Sequence, residues 1–430
     1  MSLRVGISVG GYRAEGGGGW VFMEALLDAL KTYPTEHQFM VLDKSTDDVG
    51  DDSNRGVLSY LPAPRYALHR TKNQIAAEIR KAVPERLRRG INYFRAPNRD
   101  RLPLRDAIKT VRPDIFWFMH APGFPLDVPY IATVWDLEHR KQPYLPEASY
   151  TGFAWPDREQ AYRAVLPRAS FIIAGTETGK REVMQFYGVD EPRVKVIPMP
   201  APPVTSEGPR TRDGTIAKKF GIPGNFILYP AQFFPHKNHY NLIRALDALR
   251  SDHGIHINLV LTGTDRGNRH YVHDVIDELR LTDQVFDLGF IPREDLRALY
   301  QSAVALVFVS LMGPDNIPPL EAFAWGCPAI VGEIPGAKDQ LGDAALLCRP
   351  TDPADIARKI KELLIDDSRR RELISAGKRV AAKNTPTAYI AKVVEILDEF
   401  EPICRCWASN YRREQWTPER NLRWGSPTFS

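Results

Sequence analysis

Short, continuous apolar runs rich in Val, Ile and Phe recur along the chain and alternate with helical periodicity. In the first half they lie at 3–9, 39–42, 114–120, 130–136, 171–174 and 194–198. In the second half they lie at 226–230, 257–263, 285–290, 305–310, 329–332 and 345–347. Runs that are continuous, not alternating, predict strands buried on both faces. Their alternation with helices predicts parallel sheets built from β-α-β units. The polar, proline-rich stretch between 199 and 213 interrupts the pattern, which then resumes. The reading is an α/β chain of two doubly wound, Rossmann-like domains facing each other across a cleft. Residues 1–202 form the first domain, 203–212 a linker and 213–384 the second. Residues 385–430 read as a helix and an aromatic tail carrying Trp407, Trp416 and Trp424, packed back on the first domain.

Length and composition agree with this. The chain has 430 residues, 43% hydrophobic and 26% charged, enough for two sizeable cores. No apolar run is long enough to span a bilayer. The first residues read as a strand running into a glycine-rich loop, not as a signal peptide. The four cysteines fit free thiols in a reducing compartment, and the C-x-C of Cys404 and Cys406 has no histidine at ligand spacing, so no metal site is expected. Net charge is +4 but uneven. Residues 64–112 hold fourteen Lys or Arg against four Asp or Glu. Within it, Leu68, Ile75, Ile79 and Val83 share one helical face, so this stretch reads as a solvated helix or as a contact for an anionic membrane surface. Only Tyr66, Tyr93 and Phe94 are interleaved with the basic residues, too few aromatics for nucleic-acid stacking, so no nucleic acid is expected.

Four segments carry candidate chemistry. GGYRAEGGGGW follows the first strand and precedes a helix; its glycines, Gly16, Gly17, Gly18 and Gly19 among them, allow close approach of a phosphate or form an ordinary turn. In FILYPAQFFPHKNHYNLIRAL a strand ends and Lys237 stands at the start of a helix, where an anion would offset its repulsion from the helix dipole. In GPDNIPPLEAFAWGCPAI two prolines open a helix, the amides of Asp315, Asn316 and Ile317 are free to face a diphosphate, and Glu321 lies one turn in, placed for a ribose diol or for the helix dipole. In YIATVWDLEHRKQPYLPE, Asp136 and His139 follow the end of a strand, where ligands sit in such sheets.

The second half resembles the nucleotide-sugar domain of retaining family 4 glycosyltransferases of the GT-B fold, through YPAQFFPHKNH, LVLTGTDRG, LGFIPREDLRALYQSA, SLMGPDNIPPLEAFAWGCPAI and IPGAKDQLGDAALLCRP. The first half is similar more loosely, through the glycine-rich loop, VWDLEHRKQPYLPE and FIIAGTETGKREVMQFYGVDEPRVKVIPMP. The resemblance implies that Lys237 binds the donor phosphates, Glu321 the ribose, and the loop of Asn316, Ile317 and Pro318 the diphosphate and sugar. Gly263 and Thr264 would line the same cleft, Phe290 and Ile291 would lie near the base, and Gly16 to Gly19 would close from the other domain. Three positions depart from the family pattern: Gly313 stands where a glutamate is common, Gln232 where an arginine is common, and Trp135-Asp136 where a His-Asp pair is common. Gln232 is kept among the donor-binding candidates.

These readings imply a metal-independent, cofactor-free transferase. It moves a hexose or deoxyhexose from a nucleotide-sugar donor to a glycan or lipid-linked acceptor, in surface polysaccharide synthesis at the cytoplasmic side. No Asp-x-Asp is present to hold a metal-bound diphosphate. Asp136 and His139 are the candidates for positioning sugar or acceptor. The rival readings are a nucleotide-sugar epimerase on the same fold and a non-catalytic nucleotide-sugar or nucleic-acid binder.

Overall fold

The computed structural model describes residues 2–10, 18–42, 58–60, 101–149, 155–202 and 214–406. The predicted runs form two sheets in which all strand pairs are parallel. The first contains β1 (Arg4–Ser8), β2 (Gln38–Val41), β3 (Leu58–Tyr60), β4 (Ile115–Phe118), β5 (Tyr130–Val134), β6 (Phe171–Ala174) and β7 (Val194–Val196), in the order β3-β2-β1-β4-β5-β6-β7. The second contains β8 (Phe226–Pro230), β9 (Asn258–Thr262), β10 (Val285–Asp287), β11 (Leu306–Phe308), β12 (Ala329–Gly332) and β13 (Ala345–Cys348), in the order β10-β9-β8-β11-β12-β13. Each order reverses once, between β1 and β4 and between β8 and β11. The carboxyl ends of the strands at such a reversal leave a crevice for ligand.

The apolar runs are buried on both faces: every residue of β4, β5, β6 and β12 is buried. Each such Val, Ile or Phe contributes about 1.5–3 kcal/mol relative to exposure. Strand β3 was not among the predicted runs. It is three residues long, and Ser59 separates its two apolar residues, so no continuous run announces it.

The helices used below are α1 (Gly18–Thr32), α2 (Glu138–Lys141), α3 (Pro146–Ser149), α4 (Trp155–Val165), α5 (Glu177–Tyr187), α6 (His239–His253), α7 (Ile317–Ala324) and α8 (Pro386–Cys404). α1 buries Phe22, Met23, Leu26, Leu27 and Leu30, one stripe of its surface. α8 starts cleanly: the Thr385 hydroxyl accepts the Ala388 N–H at 3.1 Å, and Pro386 takes the first helical position. It leaves the second domain and packs on the first. Tyr389 meets Phe22 edge-on at 5.4 Å and stacks over Trp117 at 6.4 Å, and Phe400 meets Phe171 at 6.4 Å. Lys195 pairs with Glu399 at 2.6 Å beside it.

The linker, the tail from 407 onward and its three tryptophans lie outside the described residues, as does the basic stretch up to residue 100. Among the described residues no helix is long and apolar enough to cross a membrane, and no group of His, Cys, Asp or Glu is placed to hold a metal ion.

Candidate active site

A cavity of about 590 Å³ lies between the two sheets, at the carboxyl ends of β8, β9 and β11. Gly18, Gly19, Gln232, Lys237, Gly263, Thr264, Phe290, Ile291, Asp315, Asn316, Ile317, Pro318 and Glu321 all line it, so one cavity gathers candidates spread over three hundred residues of sequence. Gly16 and Gly17 lie outside the described residues. Trp20, Trp135, Phe234, His236 and Arg293 also line the cavity and were not picked from sequence.

Lys237 ends a single 3-10 turn, Pro235–Lys237, and stands two residues before α6. The turn is pinned from both sides. The Tyr229 hydroxyl donates to the Lys237 carbonyl, and the Asn238 amide donates to the carbonyls of Val309 at 3.0 Å and Pro350 at 2.6 Å. The ammonium lies 5.1 Å from the centre of the Phe308 ring, and among the described residues it makes no hydrogen bond. Burial pulls its pKa down to about 8, against the pull of Asp136 and Glu147 in the opposite direction. A partly desolvated cation without a partner gains strongly from an anionic ligand.

Gly263 follows β9 with φ of 145°, a region that disfavours side chains, and a Cβ there would sit 2.3 Å from the Ala231 carbonyl oxygen. The glycine lets the loops after β8 and β9 close together. There Gln232 donates to the Thr264 hydroxyl at 3.0 Å.

The loop into α7 differs from expectation at one amide. The Asn316 N–H is not free, because it donates to the Gln340 side chain at 3.1 Å. Gln340 in turn donates to Asp315 at 2.7 Å and to the Asn316 carbonyl at 2.9 Å, so it fixes the loop. Glu321 is 7% exposed, and one of its oxygens accepts from the Tyr300 hydroxyl at 2.9 Å. Burial raises the Asp315 and Glu321 carboxyls to about 7 each, although Gln340 and Tyr300 oppose it. Neither carboxylate is ion-paired within the described residues.

Asp136 and His139 are not brought to the cavity. Asp136 pairs with Arg158 at 2.6 Å and accepts the Glu138 N–H at 3.0 Å, at the entry to α2. Burial would raise its carboxyl, but the Arg158 guanidinium overrides this and holds it low. His139 is fully buried, 3.3 Å from Glu159 and 3.4 Å from the Tyr187 hydroxyl. Burial pushes its pKa down to about 4, so it is a neutral core ring joining α2, α4 and α5. The expectation failed because Arg158, Glu159 and Tyr187 arrive from later elements.

The domains meet through polar contacts beside the cavity. Glu147 of α3 accepts both the backbone N–H and the Nδ1 of His236, each at 2.9 Å. Gln142 donates to the Leu311 carbonyl at 2.7 Å. Asp339 accepts the N–H and hydroxyl of Thr178, in the first turn of α5, at 2.9 and 2.7 Å. Gly175 lies so close to Asp315 that a Cβ would be 1.5 Å from its carboxyl oxygen.

Residues 17–203 match the family model for Glycosyltransferase Family 4, and residues 214–380 match that for Glycosyl transferases group 1. The two halves of this chain are glycosyltransferase domains of the family 4 and group 1 types. Among curated relatives, the serotype-specific mannosyltransferase WbdA of Escherichia coli is 25% identical over 292 residues, covering 64% of this chain and 36% of that protein. The O-antigen chain mannosyltransferase B of Escherichia coli is 22% identical over 220 residues, covering 51% of this chain and 58% of that one. The chain thus spans between about a third and three-fifths of the lengths of these relatives. Among solved structures, HepE of Anabaena in complex with UDP and glucose superposes with a TM-score of 0.63 at 16% identity, covering 92% of this chain and 99% of that one. The fold is the two-domain GT-B arrangement.

Proposed function

We propose that this glycosyltransferase chain moves a hexose or deoxyhexose from a nucleotide-sugar donor to a glycan or lipid-linked acceptor, in surface polysaccharide assembly. The observation that carries this reading is the interdomain cavity, where a lysine unpartnered among the described residues, one buried and one half-buried carboxylate and a helix entry share one wall. The names of the mannosyltransferase relatives support it. Lys237 would neutralise charge developing on the departing nucleoside diphosphate, a stabilisation strongest in a water-poor cleft. The free oxygen of Glu321 would accept from the ribose diol. Phe290 and Ile291 would flank the base, Gln232, Gly263 and Thr264 the phosphates, and the loop of Asp315 to Pro318 the diphosphate and sugar. Gly18 and Gly19 would close from the first domain, 1–202, which 203–212 would link to the second, 213–384. Transfer would be metal-free and would retain the anomeric configuration. The basic stretch 64–112 would hold the protein on the anionic inner face of a membrane, where a lipid-linked acceptor resides.

A thermal-shift screen of nucleotide sugars tests the donor. A true donor at 100 times its dissociation constant stabilises by about 2.7 kcal/mol. No shift with any nucleotide or nucleotide sugar would sink the reading. Incubation with donor alone separates transfer from epimerisation, since an epimerase needs no acceptor. Flotation with anionic vesicles at low and high salt tests the membrane contact, and protein left in the soluble fraction at low salt rejects it.

A further inference from the structure

We propose that His236 is a catalytic residue that removes the proton from the hydroxyl attacking the donor sugar, and that Glu147, from the opposite domain, is its positioning residue. This rests on the transferase reading above. His236 immediately precedes Lys237, and among the described residues it is the one imidazole on the cavity wall. Its Nδ1 and its backbone N–H both lie 2.9 Å from the same Glu147 oxygen. An ionised carboxylate only accepts, so the ring proton sits on Nδ1 and the Nε2 lone pair stays available. Nε2 makes no hydrogen bond among the described residues. The Phe234 ring stacks on the imidazole at 5.4 Å and 26°, which fixes the ring plane.

The electrostatics favour a neutral base before the reaction and a stabilised imidazolium during it. Burial and the adjacent Lys237 hold the His236 pKa below its ordinary value. Glu147 would be raised by burial, but its bonds to His236 hold it ionised. Its second oxygen is buried without a partner, and no Lys or Arg within the described residues pairs with it, so its charge is reserved for the imidazole. A base in a cleft, oriented by a carboxylate through the other ring nitrogen, is a recurrent solution for activating a hydroxyl. Here the base and its orienter come from different domains, so the pair exists only while the cleft is closed.

The step balances within the donor and acceptor. The acceptor oxygen bonds to the anomeric carbon on the same face from which the diphosphate leaves, as retention requires, and the bond from that carbon to the diphosphate oxygen breaks. The electron pair leaves on the nucleoside diphosphate, and the acceptor proton moves to Nε2. The imidazolium then passes the proton to solvent.

The test compares wild type, His236→Asn, Glu147→Gln and the double variant, with GDP-mannose and UDP-glucose as donors and water as acceptor. Nucleoside diphosphate release is measured at saturating donor, and donor affinity by calorimetry. Release is expected to fall about 100-fold in His236→Asn and at least ~10-fold in Glu147→Gln. The double variant should be no slower than His236→Asn, because Glu147 acts through the imidazole. Donor affinity should change by less than about threefold. Unchanged release, additive losses, or donor affinity falling in step with release would each overturn the assignment; the last would make the pair only a closure contact. If wild type binds no nucleotide or nucleotide sugar in the thermal-shift screen, the transferase reading falls, and this inference with it.

Discussion

The interior of the first domain behind the cleft and the second-domain wall of the cavity handle charge in opposite ways. On the first-domain side, charges are taken out of water as pairs: Asp136 with Arg158 at 2.6 Å, Lys141 with Glu182 at 2.8 Å, and Glu159 with Arg140 at 3.0 Å. On the second-domain side Glu321 is buried and Lys237 and Asp315 are half-buried, and among the described residues none of the three has a counter-ion. Their pKa values move accordingly, except that of Glu182, whose carboxyl burial raises despite Lys141. For Asp136 and Lys141 burial opposes the charged form and the partner wins, so each stays ionised. For Lys237, Asp315 and Glu321 burial wins, and each shifts toward its neutral form. Satisfied pairs hold an architecture together. Unsatisfied groups around a cavity are held in readiness for a ligand.

The sharpest way to break this contrast is at Lys237. Lys237→Met should reduce turnover by about 10²–10³, the size typical of deleting one preorganised charge stabiliser. The melting temperature should not fall, because the substitution relieves an uncompensated buried charge. Near-normal turnover would place Lys237 with the structural charges. Next, Glu321→Ala should weaken donor binding by about 1.5–3 kcal/mol, measured by calorimetry. Equal affinity would make Glu321 merely the partner of Tyr300.

The Lys237 pKa predicts a smaller effect. A bound diphosphate raises that pKa above its free value of about 8, so donor binding above pH 8 takes up a proton. Donor affinity should therefore fall as pH rises from 8 toward 9.5, by at most ~10-fold per unit. Asp315 and Glu321 are already ionised throughout that window, and Lys237→Met should flatten the profile. In the paired interior, His139→Ala should cost about 1–3 kcal/mol of stability by leaving Glu159 and Tyr187 short of a partner. Donor affinity should stay unchanged, and a drop in affinity would blur the contrast between the two regions. Smallest of all, excess EDTA should leave transfer intact; loss restored by magnesium or manganese would reject the metal-free mechanism.

Sequence pattern was most legible where the physics is local. Parallel strands buried on both faces must be apolar without alternation, and the runs at 171–174, 226–230 and 329–332 coincide with β6, β8 and β12. The gathering of the second-domain candidates round one cavity was legible because they sit at strand ends and at one helix entry, places where sequence position implies spatial position. Whatever depends on a distant partner was not. His236 lies inside a segment already singled out, yet nothing near it announces Glu147, 89 residues earlier. Asp136 and His139 had the position of site residues, and only Arg158, Glu159 and Tyr187 reveal them as interior ties. The Asn316 amide looked free until Gln340, 24 residues on, was seen to hold it.

The return of α8 to the first domain also bears on how the chain is made. Phe22, Trp117 and Phe171 belong to elements made before the second domain, but Tyr389 and Phe400, which pack on them, are made after it. At roughly 5–20 residues per second, the nascent first domain waits on the order of 10–40 s for that helix. During this interval an aromatic groove faces solvent on an otherwise formed domain. The nascent chain is thus exposed to aggregation during synthesis, and holdase chaperones have a defined surface and a defined time in which to act.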